Sequence, residues 1–331
     1  MRAAVYNYGG ALNVVGNFPA PKRGEKELLV KVAACSVNPV DVKLRKAKLP
    51  SAIFPYPKVT CSDGSGAVIQ APPNSKFKPG DLIYWMGLPL AKYGSAADIT
   101  TIPEESADFV KHTDIISAAA LPLVVNTAWQ ALQKSMPLAG KNILIQAGSG
   151  GVGTAAIQIA VAHGAHVTTT ASQANFELCK SLGAERVVDY KAERFEDSAP
   201  PGGYDCVLNT VVGDYDARSL KVVKQGGHFS QVLRNVADLR ELLMGAYCKF
   251  LAGTGRLGAH SLVAVRPRAD LGLQQASNLM AEGKMKPVVN TVLPLSQINE
   301  AHNMVEKGVG RGKVVVKMVE NVEQLLEGVA K

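Results

Sequence analysis

The chain has 331 residues, 47% of them hydrophobic, which is enough for two domains of ordinary size and argues against a disordered protein. Its 36 Lys and Arg residues outnumber its 28 Asp and Glu residues, for a formal net charge of +8. This charge favours an anionic partner but does not choose among a phosphorylated cofactor, a nucleic acid and a membrane surface.

The N-terminal sequence bears on the compartment. The apolar stretch Ala3–Tyr6 begins two residues after Met1, with no signal peptide or transit segment before it, so we expect a cytoplasmic protein. Residues 142–176 contain no Lys, Arg, Asp or Glu, but five glycines interrupt them, so we expect no integral membrane segment. Peripheral association of a basic surface with anionic lipid stays open.

Short runs of β-branched residues, separated by Pro and Gly, occupy the first third of the chain and predict a small twisted sheet. The pattern changes near Ser117. A helical run through residues 118–132 is followed by strands and helices in alternation, which predicts a parallel α/β sheet. Strands of that sheet are predicted at 142–146, 166–170, 187–189, 206–208 and 228–230, with helices at 154–161 and 176–182.

The C-terminal segment follows the parallel sheet and contains few strands. Helices are predicted at 271–282 and 298–306, and extended segments at 288–292 and 312–316. Because these pieces lack a sheet of their own, we predict that they return to complete the first domain. The predicted domains are then 1–117 together with 266–331, and an inserted domain at 118–265.

A glycine-rich run lies between the first strand and the first helix of the predicted parallel sheet. The pattern GxGxxG, a weak indication by itself, is matched by Gly148, Ser149, Gly150, Gly151, Val152 and Gly153. Its position between a strand and a small-residue helix is typical of a dinucleotide-binding turn. There glycines let the backbone approach a pyrophosphate, whose charge meets the N–H groups of the helix N-terminus. We predict that Gly148, Gly150, Gly151, Val152 and Gly153 bind the cofactor, with a purely structural turn as the alternative.

The end of the second strand bears on the choice between NADPH and NADH. An NAD enzyme usually places Asp or Glu there, on the ribose hydroxyls, but residues 169–175 contain no carboxylate. Ser172 and Asn175 can donate hydrogen bonds to a 2′-phosphate, and Lys180 can add positive charge, so the sequence favours NADPH. Lys180 also fits a solvated position on a helix face.

Seven short blocks, in a fixed order that spans nearly the whole chain, carry a family resemblance. They are Asn38-Pro39-Val40-Asp41 and the segments 119–122, 127–132, 147–153, 182–184, 189–190 and 312–316. This set resembles the zinc-free quinone oxidoreductase (zeta-crystallin-like) branch of the medium-chain dehydrogenase/reductase superfamily. The resemblance implies an α/β protein with a GroES-like catalytic domain and an inserted Rossmann domain with a doubly wound parallel sheet. It also implies a cleft between the domains and, usually, a homodimer.

The resemblance implies roles for single residues. Asn38 and Asp41 are similar to the polar pair near the nicotinamide, Thr127 to a contact beneath it, and Tyr190 to a neighbour of the adenosine phosphate. The alternatives are that Asn38 and Asp41 cap the following helix and that Tyr190 is a packed aromatic side chain.

The chain departs from the family pattern at the expected phosphate site. The family often has a basic residue where this sequence has Asn175, so the positive charge would come from Lys180, Lys307 or Arg311 instead. This departure weakens the preference for NADPH without reversing it.

Zinc alcohol dehydrogenases of the same superfamily bind their metal through a thiolate, a histidine and further ligands. Asn38 stands where their first cysteine ligand would fall, and Cys61, Ser62 and Asp63 replace their Gly-His-Glu element. The sequence also lacks their four-cysteine lobe. We therefore expect no metal site.

The expected reaction follows from the missing metal. A quinone or enone spreads the incoming charge through its own π-system, whereas a simple ketone needs an electrophile to stabilise the alkoxide. The sequence thus predicts a zinc-independent, NADPH-dependent oxidoreductase that transfers hydride to a quinone or an α,β-unsaturated carbonyl compound. The alternatives are an enoyl-thioester reductase and an NADPH-binding protein with a regulatory or RNA-binding role. Only 6% of residues are aromatic and none of the basic runs is interleaved with them, so no nucleic acid partner is expected.

Overall fold

The computed structural model describes residues 1–52, 54–232, 239–263, 268–308 and 310–329. The chain divides into two compact units. The first comprises Met1–Asn126, Arg266–Ala281 and Lys286–Lys331, and the second comprises Thr127–Val265 and Glu282–Met285. Residues 118–126 group with the first unit because Ala119 and Ala120 pack there against Ala34 and Val315. The domain bounds inferred from the sequence stay a prediction.

The described residues form sixteen strands, most of them short. In chain order they are β1 (Ala3–Tyr6), β2 (Asn13–Val15), β3 (Glu27–Val37), β4 (Lys58–Val59), β5 (Asp63–Gln70), β6 (Leu82–Met86), β7 (Ile99–Pro103), β8 (Ala107–Phe109), β9 (Asn142–Ile145), β10 (His166–Ala171), β11 (Arg186–Asp189), β12 (Tyr204–Asn209), β13 (Val223–Val232), β14 (Ala259–Val263), β15 (Val289–Pro294) and β16 (Lys313–Lys317).

The same residues form ten α-helices and five short 3₁₀ helices. The α-helices are α1 (Pro39–Lys46), α2 (Ile115–Ala118), α3 (Pro122–Gln133), α4 (Gly151–Ala162), α5 (Phe176–Ser181), α6 (Tyr215–Val222), α7 (Leu239–Gly253), α8 (Leu273–Ala281), α9 (Ile298–Glu306) and α10 (Val322–Leu326). The 3₁₀ helices are Glu104–Ser106, Gln173–Asn175, Phe195–Ser198, Ala269–Leu271 and Leu295–Gln297. Among the helices of the described ranges, none is both long and apolar enough to cross a membrane.

The first unit is built on a sheet of seven strands with the order β15-β16-β3-β5-β6-β8, in which β7 also pairs with β3. A smaller sheet has the order β2-β1-β4. Strand β16 runs antiparallel to β3, with Val316 opposite Cys35. The C-terminal strand therefore completes a sheet begun by N-terminal residues. Buried side chains such as Tyr6, Phe77 and Trp85 form the core of this unit.

The second unit contains six parallel strands with the order β11-β10-β9-β12-β13-β14. This is the order of a doubly wound Rossmann sheet, so the predicted fold class is confirmed. Strand β9 is central, and its side chains Ile143, Leu144 and Ile145 are fully buried, as expected for a strand covered on both faces. The strand order reverses at β9, so the turn after β9 lies at the topological switch point, where this fold binds ligands.

Candidate cofactor and catalytic sites

The turn between β9 and α4 is held in place by the neighbouring strand β10. The Ala147 N–H donates to Thr170 Oγ1 at 2.9 Å, and the Gly148 N–H donates to the Thr170 carbonyl at 2.9 Å. Ala147 has a φ of 56°, a left-handed conformation that is uncommon for a residue with a side chain. Helix α4 then begins at Gly151, with Gly150 as its N-cap.

Two glycines of this turn leave no room for a side chain. A Cβ at Gly148 would lie 2.0 Å from Thr169 Oγ1, and a Cβ at Gly153 would lie 2.2 Å from the Ala147 carbonyl oxygen. Gly150, Gly151 and Val152 are partly exposed at the start of the helix. The backbone there is thus shaped as a cradle at a helix N-terminus, which fits a pyrophosphate group.

The end of β10 presents small polar side chains. Ser172 follows the strand, and the Asn175 Nδ2–H donates to Ser172 Oγ at 3.2 Å. Both residues are partly exposed and carry no charge. Lys180 lies on α5, where its side chain is 56% exposed and its Nζ lies 3.9 Å from Glu177 Oε1. This is the solvated helix-face position that the sequence left open.

A carboxylate that the sequence pattern does not mark lies at the end of β11. Asp189 stands opposite Ala171 in the parallel register of β10 and β11, and its Oδ1 accepts the Lys191 N–H at 3.0 Å. Tyr190 follows it and is 50% exposed, so it is not a packed core aromatic. Thr127, in contrast, is fully buried within α3. Asp189 is placed beside Ala171 by the register of β10 and β11, and the sequence pattern does not give that register.

Asn38 and Asp41 lie together in the first unit, at the beginning of α1. The Asn38 backbone N–H donates to Asp41 Oδ2 at 2.9 Å, which is the capping arrangement expected as an alternative. Asp41 Oδ1 accepts the Ser62 hydroxyl at 2.9 Å. Asn38 is 1% exposed and Asp41 is 5% exposed, so both are buried.

A second carboxylate, Asp63 at the start of β5, extends this cluster. Its Oδ2 accepts the Asn38 Nδ2–H at 2.8 Å and the Ser36 hydroxyl at 3.3 Å, while its Oδ1 accepts the Leu123 N–H at 3.0 Å. Lys313, at the start of β16, donates to Asn38 Oδ1 and lies 3.9 Å from Asp63 Oδ2. Sequence separation hid both residues: nothing local marks a lysine at position 313 as a neighbour of Asn38.

Burial and the ion pair act in opposite directions on the charges of this cluster. Burial raises the pKa of Asp63 to about 7, against the effect of the Lys313 ammonium. Burial also raises the pKa of Asp41, although the Asn38 N–H and the Ser62 hydroxyl oppose it. Burial lowers the pKa of Lys313, whereas the charges of Asp63 and Asp41 raise it. The cluster therefore contains several groups whose charge depends on one another.

Metal-binding side chains are not grouped in the part of the chain that the structure describes. No cluster of three or more His, Cys, Asp and Glu residues there could hold a metal ion. Cys61 itself is buried, which raises the pKa of its thiol.

Two sequence families match the chain. The alcohol dehydrogenase GroES-like domain family matches residues 24–110, and the zinc-binding dehydrogenase family matches residues 182–316.

Individual relatives match over nearly the whole chain. The chloroplastic NADPH-dependent alkenal/one oxidoreductase of Arabidopsis thaliana is 34% identical, over 96% of this chain and 79% of the relative. The chloroplastic quinone-oxidoreductase QR1 of Triphysaria versicolor is 33% identical, over 96% and 98%. The solved structure of the quinone oxidoreductase from Coxiella burnetii superposes with a TM-score of 0.84 at 27% identity, covering 96% of this chain and 99% of that one.

Proposed function

Because this chain belongs to the quinone oxidoreductase branch of the medium-chain dehydrogenase/reductase family, we propose that it transfers hydride from NADPH to a quinone or an α,β-unsaturated carbonyl compound. The observation that carries the proposal is the backbone cradle at Gly148–Gly153, which a side chain at either end would fill. When bound, NADPH supplies the hydride from its nicotinamide ring. The protein supplies binding, orientation and the exclusion of water.

The glycine cradle accounts for the pyrophosphate part of the cofactor. Gly148 and Gly153 allow the close approach of strand, turn and helix, while Gly150, Gly151 and Val152 present their backbone to the ligand. The N-terminus of α4, a helix of twelve residues, favours a negative charge at this place.

The preference for NADPH is proposed from the neutral end of β10. Ser172 and Asn175 donate hydrogen bonds to the 2′-phosphate, and Tyr190 lies beside the adenosine phosphate. Lys180 contributes positive charge, and its exposed ammonium lies 3.9 Å from Glu177 Oε1. Asp189 stands opposite Ala171, and its carboxylate keeps its charge while it accepts the Lys191 N–H, so this residue opposes the binding of the phosphate.

Asn38, Asp41 and Thr127 are proposed to act at the reacting end of the cofactor. Asn38 offers an amide N–H either to the acceptor oxygen, where it stabilises developing negative charge, or to the nicotinamide, which it helps to orient. Asp41 holds the backbone of Asn38 through the hydrogen bond at the start of α1. The acceptor takes its proton from water or from another donor.

Reduction without a metal is part of the proposal, although one matching family is described as zinc-binding dehydrogenases. The Asn38 amide oxygen accepts a hydrogen bond from Lys313 and the Asp63 carboxylate accepts one from Asn38, so the oxygen atoms that could ligate a metal are engaged by protein partners. An acceptor that delocalises charge needs no metal electrophile. Metal analysis of the purified protein, before and after dialysis against a chelator, tests this part, and zinc at one equivalent with chelator-sensitive activity would contradict it.

One panel of acceptors tests the proposed reaction. NADPH and NADH oxidation is followed with quinones, enones, an enoyl-CoA and simple ketones. We expect rapid turnover of NADPH with quinones or enones, little turnover with ketones and a lower kcat/KM with NADH. Faster turnover of the enoyl-CoA than of free enones would identify an enoyl-thioester reductase instead. No turnover with any acceptor, together with tight NADPH binding, would favour a regulatory or RNA-binding role.

A cytoplasmic location and a homodimer are also proposed. The two plant relatives are chloroplastic by name, so a fluorescent fusion of the full chain in its own cells is the direct test of location. Light scattering coupled to size-exclusion chromatography tests the dimer, for which the measured mass should be twice the 35.0 kDa of the chain.

A further inference from the structure

A lysine, an asparagine and an aspartate meet in the interior of the first unit. Lys313, Asn38 and Asp63 are 6%, 1% and 0% exposed. The Lys313 ammonium donates to the Val37 carbonyl at 2.8 Å and to Asn38 Oδ1, and it lies 3.9 Å from Asp63 Oδ2. The Asn38 Nδ2–H donates to the same Asp63 oxygen at 2.8 Å. A buried ammonium group is tolerated only when it is hydrogen-bonded and paired in this way.

These two charges fix the orientation of the Asn38 carboxamide. Its oxygen faces the Lys313 cation and its nitrogen faces the Asp63 carboxylate. A rotation by 180° would place the NH₂ group against the ammonium and the carbonyl oxygen against the carboxylate, so both contacts would become repulsive. Because the NH₂ group has two hydrogens and Asp63 takes one, a single orientation of the second N–H results.

We propose that Lys313 and Asp63 are positioning residues that hold the Asn38 carboxamide in the orientation in which it serves the reaction. The proposal rests on the proposed function, in which Asn38 contacts the reacting end of the cofactor or the acceptor. Lys313 touches neither of them and acts through Asn38. The N-terminal segment before α1 is in this way tied to the last strand of the same sheet, 275 residues later in the chain.

A double-mutant cycle separates positioning from simple stabilisation. Lys313→Met removes the charge and the donors but keeps most of the length of the side chain, and Asn38→Ala removes the group on which Lys313 acts. Lys317→Met is the matched control, because it makes the same change on the same strand where the partner, Glu320, is 73% exposed. Val315→Ala is the second control, since it removes packing from a fully buried position of β16.

We expect Lys313→Met to lower kcat/KM with the best acceptor by about tenfold to a hundredfold, the range typical of lost hydrogen bonds to a charged group. Lys317→Met should stay within about twofold, because an exposed ion pair contributes little. Val315→Ala should lower the unfolding midpoint with little change in kcat/KM. In the Asn38→Ala background, Lys313→Met should cost less than about twofold, since residues acting through one group are not additive. Losses that multiply instead would overturn the proposal and leave the proposed function standing.

A measurement that needs no turnover separates the two proposals. In ¹⁵N-labelled wild-type protein, the Asn38 side-chain amide signal, assigned by its loss in Asn38→Ala, should show slow hydrogen exchange. In Lys313→Met, or in Lys313→Gln if the first variant does not fold, that protection should decrease at least about tenfold, the change that follows when a hydrogen bond to a charged group is removed. Rapid exchange in the wild type, or unchanged protection in the folded variant, would overturn the positioning role. Slow exchange in a protein that reduces no acceptor would refute the proposed function and support the proposed orientation of the Asn38 carboxamide.

Discussion

Replacement of Gly153 by alanine tests the cofactor cradle most directly. The new Cβ would lie 2.2 Å from the Ala147 carbonyl oxygen and 2.7 Å from Gly148 Cα, and both are backbone atoms that cannot rotate away. To restore an ordinary carbon contact of about 3.4 Å, the turn must move by about 1 Å relative to the start of α4. Alanine favours a helix by about 1 kcal/mol over glycine, but forced overpacking costs about 1–3 kcal/mol.

The expected result is therefore a modest loss of stability and a large loss of cofactor binding. A misplacement of about 1 Å can lower the rate at a catalytic site by about a hundredfold. We expect cofactor binding to be similarly sensitive, so the NADPH Kd of Gly153→Ala should rise at least about tenfold. Fluorescence titration with NADPH measures Kd, and urea unfolding measures stability.

Gly253→Ala is the control for the alanine substitution. Position 253 lies in the second unit at the end of α7, and a Cβ there meets no atom within 4 Å. We expect unchanged NADPH binding and equal or slightly higher stability in this variant. Wild-type affinity in Gly153→Ala, with an unchanged unfolding midpoint, would show that the turn does not need a glycine and that the cradle argument is wrong.

Three further outcomes follow from charges in the second unit. Ser172→Asp should raise the KM for NADPH at least about tenfold and the KM for NADH much less, because a carboxylate repels the 2′-phosphate. The same change at the exposed Ser181 is the control and should alter neither KM value. Burial lowers the pKa of His228 to about 4, so its contribution to stability is present above its unfolded pKa of about 6.5 and is lost as the pH falls towards 4. His228→Gln should thus flatten the dependence of the unfolding midpoint between pH 6.5 and 4, and an equally steep dependence would count against it. The Arg218 Nε–H and Nη2–H donate to the two Glu196 carboxylate oxygens at 2.7 and 2.9 Å. Lysine cannot keep both bonds, so Arg218→Lys should lower the free energy of unfolding, measured in urea, by about 1 kcal/mol.

The elements with clear periodicity were predictable from the sequence. The predicted helix at 298–306 coincides with α9, and the predicted strand at 142–146 ends one residue beyond β9. Helix α7 was not predicted, and the reason is visible on its surface. Leu243, Tyr247 and Phe250 are 60%, 52% and 64% exposed while Cys248 is buried, so apolar residues lie on both sides and no amphipathic pattern results.

The candidate sites, too, were predictable from the sequence only in part. The glycine turn could be located because its residues are contiguous and their spacing reflects one local backbone geometry. The partners of Asn38 could not, since Asp63 and Lys313 reach it through the register of β5 and β16 on β3. The carboxylate beside Ala171 was missed for the same reason: Asp189 belongs to another strand. Sequence patterns describe what is close along the chain, whereas sheets bring together what is distant.

The late position of β16 has a consequence for the order of events during synthesis. Residues of the second unit form one nearly continuous stretch and can pack as soon as they leave the ribosome. Strand β3 must wait for its partner, because Lys313 follows Val37 by 276 residues. At roughly 5–20 residues per second, this interval is on the order of tens of seconds. Throughout that time the edge of β3 that β16 will cover is unpaired, so we expect the nascent first unit to be more prone to wrong association than the second unit.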